Sequence, residues 1–242
     1  MDRLDDVLGY KNLKIYQNSS YFSFSLDSII LANYTSIRLR DKNIIDFCSG
    51  NGVVPLILSK RTKANIVGVE IQEKLADLAR KSISFNNLND RIQIITDDIK
   101  NFSIKHLNEF DLILCNPPYF KVVDKSLLND SYEKKIARHE ITICLEEICE
   151  CAKKVLKDNG KIGIVHRSER LMDVLEFLRK YNLEPKSVQF VYENINKEST
   201  LVLVEAQKCG KVGLIIKKPI ILYDLDGNMT AEYDKLQKEV LK

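Results

Sequence analysis

Asn116-Pro117-Pro118-Tyr119 holds an amide, two imide carbonyls and an aromatic ring within four residues. It directly follows Phe110-Asp111-Leu112-Ile113-Leu114-Cys115, an apolar run that reads as a buried strand. Neither proline has an N–H to give and both have fixed φ, so the strand cannot continue and the chain must leave in a stiff turn. The amide of Asn116, the Pro117 carbonyl and the Tyr119 ring are thereby held in one arrangement. Such an arrangement suits the capture of a planar group that carries an –NH2.

A second constellation precedes it. Asp46-Phe47-Cys48-Ser49-Gly50-Asn51-Gly52 stands between a predicted strand and a predicted helix. Its glycines permit positive φ and let a ligand approach the backbone closely. Ligands of open α/β sheets bind at the carboxyl ends of the strands, where this loop lies. Glu70 ends the next strand about 20 residues on, the distance at which an acid reaches both ribose hydroxyls of a bound nucleoside. Asp98 follows the third strand and could accept a bond from an adenine amino group, with Ile99 covering the ring. Asp97 competes for that role, and Ile71 beside Glu70 is a further candidate contact. Pro55 occupies the third-glycine position of the Gly-x-Gly-x-x-Gly fingerprint, so a pyrophosphate is not the expected guest. An adenosine with a short charged tail fits better. S-adenosylmethionine is such a molecule, and Asp46 would lie near its methionine portion.

The two constellations together define a chemistry. An exocyclic amine on an aromatic base is a poor nucleophile because its lone pair is spread into the ring. Acceptance of its two N–H bonds by the Asn116 side-chain oxygen and the Pro117 carbonyl lets the nitrogen pyramidalise towards a sulfonium methyl. Pro118 stiffens the turn. Tyr119 would stack on the base and tolerate the positive charge that develops. No general base of shifted pKa is required.

The elements that position these residues follow from periodicity. Short apolar runs at 44–47, 66–70, 92–95, 111–115 and 161–165 alternate with helical patterns at about 53–60, 72–86, 144–156 and 169–180. The third of these helices is expected to stop at Asn159-Gly160. Alternation of this kind implies parallel strands with right-handed helical crossovers. Runs at 187–192 and 199–205 are too close for a crossover and read as an antiparallel pair closing the sheet. The expectation is an α/β fold with a seven-stranded Rossmann-like sheet, an antiparallel closing strand and helices on both faces. One domain is expected over 1–242, with an N-terminal cap segment (1–42), a catalytic core (43–207) and a C-terminal ribbon and tail (208–242). Asp27 is expected to cap a helix beginning at Ser28.

Composition sets the class. With 45% apolar and 29% charged residues the chain can bury a sizeable core and keep an ordinary soluble surface. No run approaches the roughly 20 apolar residues of a membrane span, and the acidic start Met1-Asp2-Arg3-Leu4-Asp5-Asp6 lacks a signal core. A cytoplasmic location is the expectation, with no membrane partner and a monomer as the default assembly. The net charge of +3 neither argues for a nucleic-acid partner nor excludes one. The six cysteines include no Cys-x-x-Cys, and Cys149-Glu-Cys151 has the wrong spacing for zinc, so buried free thiols and no metal are expected.

Asp46, Gly50-Asn51-Gly52, Glu70, Asp98 and Asn116-Pro117-Pro118-Tyr119 together resemble the class I S-adenosylmethionine-dependent amino-methyltransferases, over about 43–205. Enzymes with the Asn-Pro-Pro-Tyr signature act on adenine N6 in DNA or RNA, on guanine N2 in rRNA and on glutamine amides of release factors. The segments Leu13–Gln17 and Phe22–Ala32, and Ala137-Arg138-His139-Glu140, look like the bacterial tRNA1(Val) adenine-N6 methyltransferase group, which modifies the adenine beside the anticodon. That resemblance implies RNA, and tRNA in particular, as partner. It also implies that the segment around Phe24 and Asp27 shields the cofactor, with Phe24 in contact. Arg138 and His139 are candidates for contact with a phosphate or the substrate loop. Cys48 departs from the pattern, since many methyltransferases carry Gly there. A non-catalytic RNA-binding module on the same scaffold is the contrasting expectation.

Overall fold

The computed structural model describes residues 2–18, 25–118 and 144–238. A hairpin, β1 (Asp2–Val7) and β2 (Tyr10–Asn18), is followed by helix α1 (Leu26–Tyr34). The alternating core then runs β3 (Asn43–Phe47), α2 (Val53–Arg61), β4 (Asn65–Glu70), α3 (Glu73–Phe85), β5 (Ile92–Thr96), α4 (Ile99–Lys105) and β6 (Phe110–Cys115). After it come α5 (Leu145–Val155), β7 (Leu156–Arg167), α6 (Leu171–Lys180), β8 (Leu183–Tyr192) and β9 (Ser199–Lys208). Two dipeptide strands, β10 (Ile215–Ile216) and β11 (Ile220–Ile221), and helix α7 (Ala231–Lys238) end the described chain.

Seven of the strands lie side by side in the order β5-β4-β3-β6-β7-β9-β8, and only β9 runs antiparallel to its neighbours. Successive side chains of a strand face opposite sides. Ile44, Leu112 and Leu114 thus enter one core with α1, α2, α3 and the hairpin, while Ile45, Phe47, Ile113 and Cys115 enter the other with α4, α5 and α6. The sheet is buried on both faces, which is why its parallel strands are nearly continuous apolar runs. Strand order reverses at β3: β4 and β5 lie to one side, β6 and β7 to the other. The crevice beyond the carboxyl ends of β3 and β6 is therefore the ligand position of this topology.

The hairpin was not anticipated as structure. Its inner strand is held by side chains of α3 and of the Asn86 that caps its end: Tyr16 N donates to Ser82 Oγ (2.9 Å), Lys14 N to Asn86 Oδ1 (3.0 Å), and Asn86 Nδ2 returns a bond to Lys14 O (2.6 Å). Alternate backbone groups of β2 thus find partners on a helix, while Leu13 and Ile15 are buried in the core.

Four expectations change. α5 ends at Val155, and Asn159-Gly160 lies inside β7. The β6–β7 register jumps from Phe110↔Leu156 to Leu112↔Lys161, and Asn159 takes φ 62° in the excursion. Its tolerance of the left-handed region serves a strand irregularity there rather than a helix end. Asp27 is not the cap of α1: Ser25 is, and Asp27 sits in the first turn, where an acid complements the helix dipole. Cys144 and Cys209 are exposed, Cys48 half-buried, and Cys115, Cys149 and Cys151 buried; all six are free thiols. The expected C-terminal ribbon instead extends the sheet, since β10 and β11 both pair parallel with β8. Among the described residues no helix is long and apolar enough to cross a membrane.

Candidate active site

The loop after β3 is tied to the end of β4 by backbone and carboxylate. Ser49 N donates to Val69 O (3.0 Å) and Gly52 N to Ser49 O (2.9 Å). Gly50 N donates to Glu70 Oε2 (2.8 Å), and Gln72 N to Glu70 Oε1 (2.9 Å). Glu70 is 5% exposed, and burial raises its carboxyl above the usual range, only partly offset by the N–H groups of Gln72, Gly50 and Ile71. A carboxylate has about four lone-pair sites, so these backbone bonds leave it capacity to accept more. Gly52 turns the chain into α2 at φ 84°, with Ala79 of α3 only 3.0 Å from where a Cβ would stand. Pro55 falls in the first turn of α2, where its missing N–H costs nothing.

Among the described residues, three polar atoms at the end of β3 and in its loop are buried without a hydrogen-bond partner: Asp46 Oδ2, Ser49 Oγ and Asn51 Nδ2. Native proteins rarely orphan buried polar groups, so a cluster of three signals a missing polar guest. The set offers acceptors at Asp46 and Ser49 and a donor at Asn51, which fits a ligand bearing both a cationic and an anionic group. Asp46 is 1% exposed, and burial first, then the Glu70 charge, push its carboxyl well above the ordinary carboxylate range.

A carboxyl raised on folding contributes stability below its unfolded value, near pH 4, and loses it as pH rises through the folded value. Asp46→Asn is therefore expected to stabilise the ligand-free protein at pH 7 by about 1–3 kcal/mol, read as about 2–4 °C in Tm per kcal/mol. The gain should vanish in melts below about pH 4; equal melting of the two proteins at pH 7 would contradict it.

Cys48 takes φ 58° as the chain leaves β3. Phe47 pairs with Cys115 in the β3–β6 register, so Cys48 and Asn116 leave the sheet from neighbouring strand ends. The hydrogen bond its thiol gives to Cys48, followed by burial, pushes Cys115 well above the usual thiol range. Cys115 therefore stays neutral and protonated, unsuited to thiolate chemistry.

Asn116 is half-buried, Pro117 buried and Pro118 exposed. Asn116 Nδ2 donates to Ser28 Oγ in α1 at 2.8 Å. Phe24 and Tyr119, together with Arg138 and His139, lie outside the described residues.

At the end of β5, Asp98 caps α4 by accepting from Lys100 N (2.8 Å), while Asp97 accepts from Asp98 N (2.8 Å) and meets Lys105 Nζ at 3.3 Å. Ile99 is packed in the core at 4% exposure, whereas Ile71 leaves 48% of its surface uncovered. Beside Glu70, Ile71 is therefore the larger exposed apolar surface of the two.

Sequence reasoning missed Ser28, Ser49 and Gly68. Gly68 lies in β4, where a Cβ would stand 2.7 Å from Ile94 Cδ1 and 2.9 Å from Ser49 Oγ. A lone glycine inside a strand pattern is the signal that could have revealed this close approach.

Comparison with known proteins identifies the family and the fold. A family model described as the methyltransferase small domain matches residues 20–191. The chain belongs to that family, and it is a methyltransferase. It is 28% identical over 232 residues to the tRNA1(Val) (adenine(37)-N6)-methyltransferase of Haemophilus influenzae (strain PittEE), covering 95% of this chain and 96% of the relative. It is 27% identical over 242 residues to the enzyme of the same name from Porphyromonas gingivalis (strain ATCC 33277), covering 96% and 93%. The crystal structure of a predicted O-methyltransferase from Agrobacterium tumefaciens shares the fold, with a TM-score of 0.69 at 16% identity over 88% of this chain and 95% of that one.

Proposed function

We propose that the chain is an S-adenosylmethionine-dependent methyltransferase acting on the N6 amine of an adenine in tRNA, beside the anticodon, in the cytoplasm. One observation carries the reading: Asn116-Pro117-Pro118 leaves β6 directly beside a loop that buries three unpartnered polar atoms, at the point where strand order reverses. The end-to-end likeness to enzymes named for adenine 37 of tRNA1(Val) supports the choice of amine and of RNA.

When bound, S-adenosylmethionine supplies a methyl group made electrophilic by its sulfonium. Asp46, Ser49 and Asn51 are the residues of this chain that would hold its charged tail, and Gly50 and Gly52 let it approach the backbone. Glu70 would accept from the ribose hydroxyls, and Asp98 or Asp97, with Ile71 and Ile99, would bound the adenine. Asn116 Oδ1 and the Pro117 carbonyl would accept the two N–H bonds of the target amine, localising its lone pair. Tyr119 would stack on the extruded base. The amine proton leaves to water after transfer, so the transfer needs no dedicated base.

Incubation with methyl-labelled S-adenosylmethionine and total tRNA from a strain lacking this modification tests the reading. Label should enter tRNA, and should not enter duplex DNA or a peptide bearing a release-factor Gly-Gly-Gln loop. Labelling of the peptide alone would overturn it. So would a lack of S-adenosylmethionine binding by calorimetry, the result expected of a non-catalytic RNA-binding module.

A further inference from the structure

We infer that Ser28 is a positioning residue for the methyl transfer, setting which arm of the Asn116 amide faces the target amine. The inference rests on the reading just given. An amide carries a donor and an acceptor on one trigonal carbon, and only the acceptor can take an N–H from an incoming –NH2. With the amide turned the wrong way, its NH2 meets the substrate's NH2, and donor faces donor. Asn116 Nδ2 donates to Ser28 Oγ at 2.8 Å, and this directs Oδ1 away from Ser28. Ser28 is itself buried, at 8% exposure, so water competes poorly for this bond.

A positioning group works only if its own scaffold is fixed. α1 is clamped at the end opposite Ser28. Arg61 donates to the carbonyls of Ala32 and Thr35, the latter at 3.0 Å. Tyr10 of the hairpin donates to Asn33 Oδ1 at 2.7 Å, and Thr35 Oγ1 donates to Leu31 O at 2.7 Å. Just past the helix, both Ser36 N (2.7 Å) and Ser36 Oγ donate to Glu205 on β9. Ser28, Ile29, Ile30, Leu31 and Ala32 are all buried, so the helix is seated along its length. Through Tyr10 the N-terminal hairpin thereby braces the helix that orients the catalytic amide.

The test compares Ser28→Ala and Ser28→Thr with the unsubstituted protein, using tRNA and S-adenosylmethionine. Alanine removes the hydroxyl and opens little space; threonine keeps it. Ser28→Ala is expected to lower kcat about 3- to 10-fold, the scale of one neutral hydrogen bond. KM for tRNA and Kd for S-adenosylmethionine should stay within about 2-fold, and Ser28→Thr should recover most of kcat. In an Asn116→Ala background the Ser28→Ala change should have no further effect on residual turnover, because the amide it orients is gone. Should alanine lower Tm, Ser28→Cys, which fills the same space with a weak partner, is read instead and should show the same kcat loss. Undiminished kcat in Ser28→Ala, or a loss confined to KM or Kd, would overturn the inference while leaving the proposed function intact. Absence of tRNA methylation by the unsubstituted protein would overturn the function itself.

Discussion

Asn116→Ala should lower kcat by about 10²–10³-fold, leaving a small residual turnover, while Kd for S-adenosylmethionine changes little. The substitution removes the acceptor that localises the lone pair of the attacking nitrogen, an interaction that strengthens only as the nitrogen pyramidalises. Losses of that kind fall on kcat rather than on ground-state binding. The buried polar atoms assigned to the methyl donor belong to Asp46, Ser49 and Asn51 at the end of β3, and Glu70 secures their loop from β4. The stiffness of the turn comes from Pro117 and Pro118, which the substitution leaves in place. Single-turnover methylation paired with calorimetry separates the two quantities. A large loss of donor affinity with turnover preserved at saturation would mean that Asn116 belongs to the cofactor pocket instead.

Glu205→Gln is expected to cost stability on the order of 3 kcal/mol at pH 7. Burial alone would raise the Glu205 carboxyl. The hydrogen bond from Lys217, then those from the Ser36 side chain and backbone, outweigh burial and hold it at about 2. Lys217 Nζ lies 2.7 Å away, and Ser187 Oγ donates at 3.0 Å. A carboxyl depressed on folding contributes stability above its unfolded value. That contribution is lost as pH falls from about 4.5 through about 2. Urea titrations should thus show a gap between the two proteins at pH 7 that closes progressively below about pH 4.5. A gap independent of pH would mean that Glu205 acts by packing alone. The same carboxylate anchors Ser36, so the variant should also loosen α1 and lower turnover more than donor binding.

The parallel core was legible because its strands are buried on both faces. Ile44–Phe47, Ile66–Val69 and Leu112–Cys115 leave little room for any other reading, and α3 shows its buried Leu75, Leu78, Ala79 and Ile83 at helical spacing. The hairpin was not legible, for a physical reason. β1 reads Asp-Arg-Leu-Asp-Asp-Val, with one buried residue, and β2 takes its outer partners from Ser82 and Asn86, more than 60 residues away. α4 is only seven residues long and starts at an acid already assigned to a ligand, so its capping role was hidden. Asn159-Gly160 looked like a helix stop because left-handed residues serve helix ends and strand irregularities alike.

Within the site, the glycine loop, Glu70 and the proline turn could be read because their backbone demands are written in residue types. Ser28 and Ser49 could not. A serine declares no role until its partner is known, and the partners here are Asn116 from 88 residues away and the close approach at Gly68. The hydroxyls that complete the site are tertiary facts.

The most direct measurement is nucleoside analysis of tRNA methylated by this protein, with the modified oligonucleotide mapped after ribonuclease digestion. The account predicts N6-methyladenosine, confined to the anticodon-loop fragment and reduced to traces with Asn116→Ala. Methyl label in guanine N2, or N6-methyladenosine spread over other tRNA fragments, would contradict it.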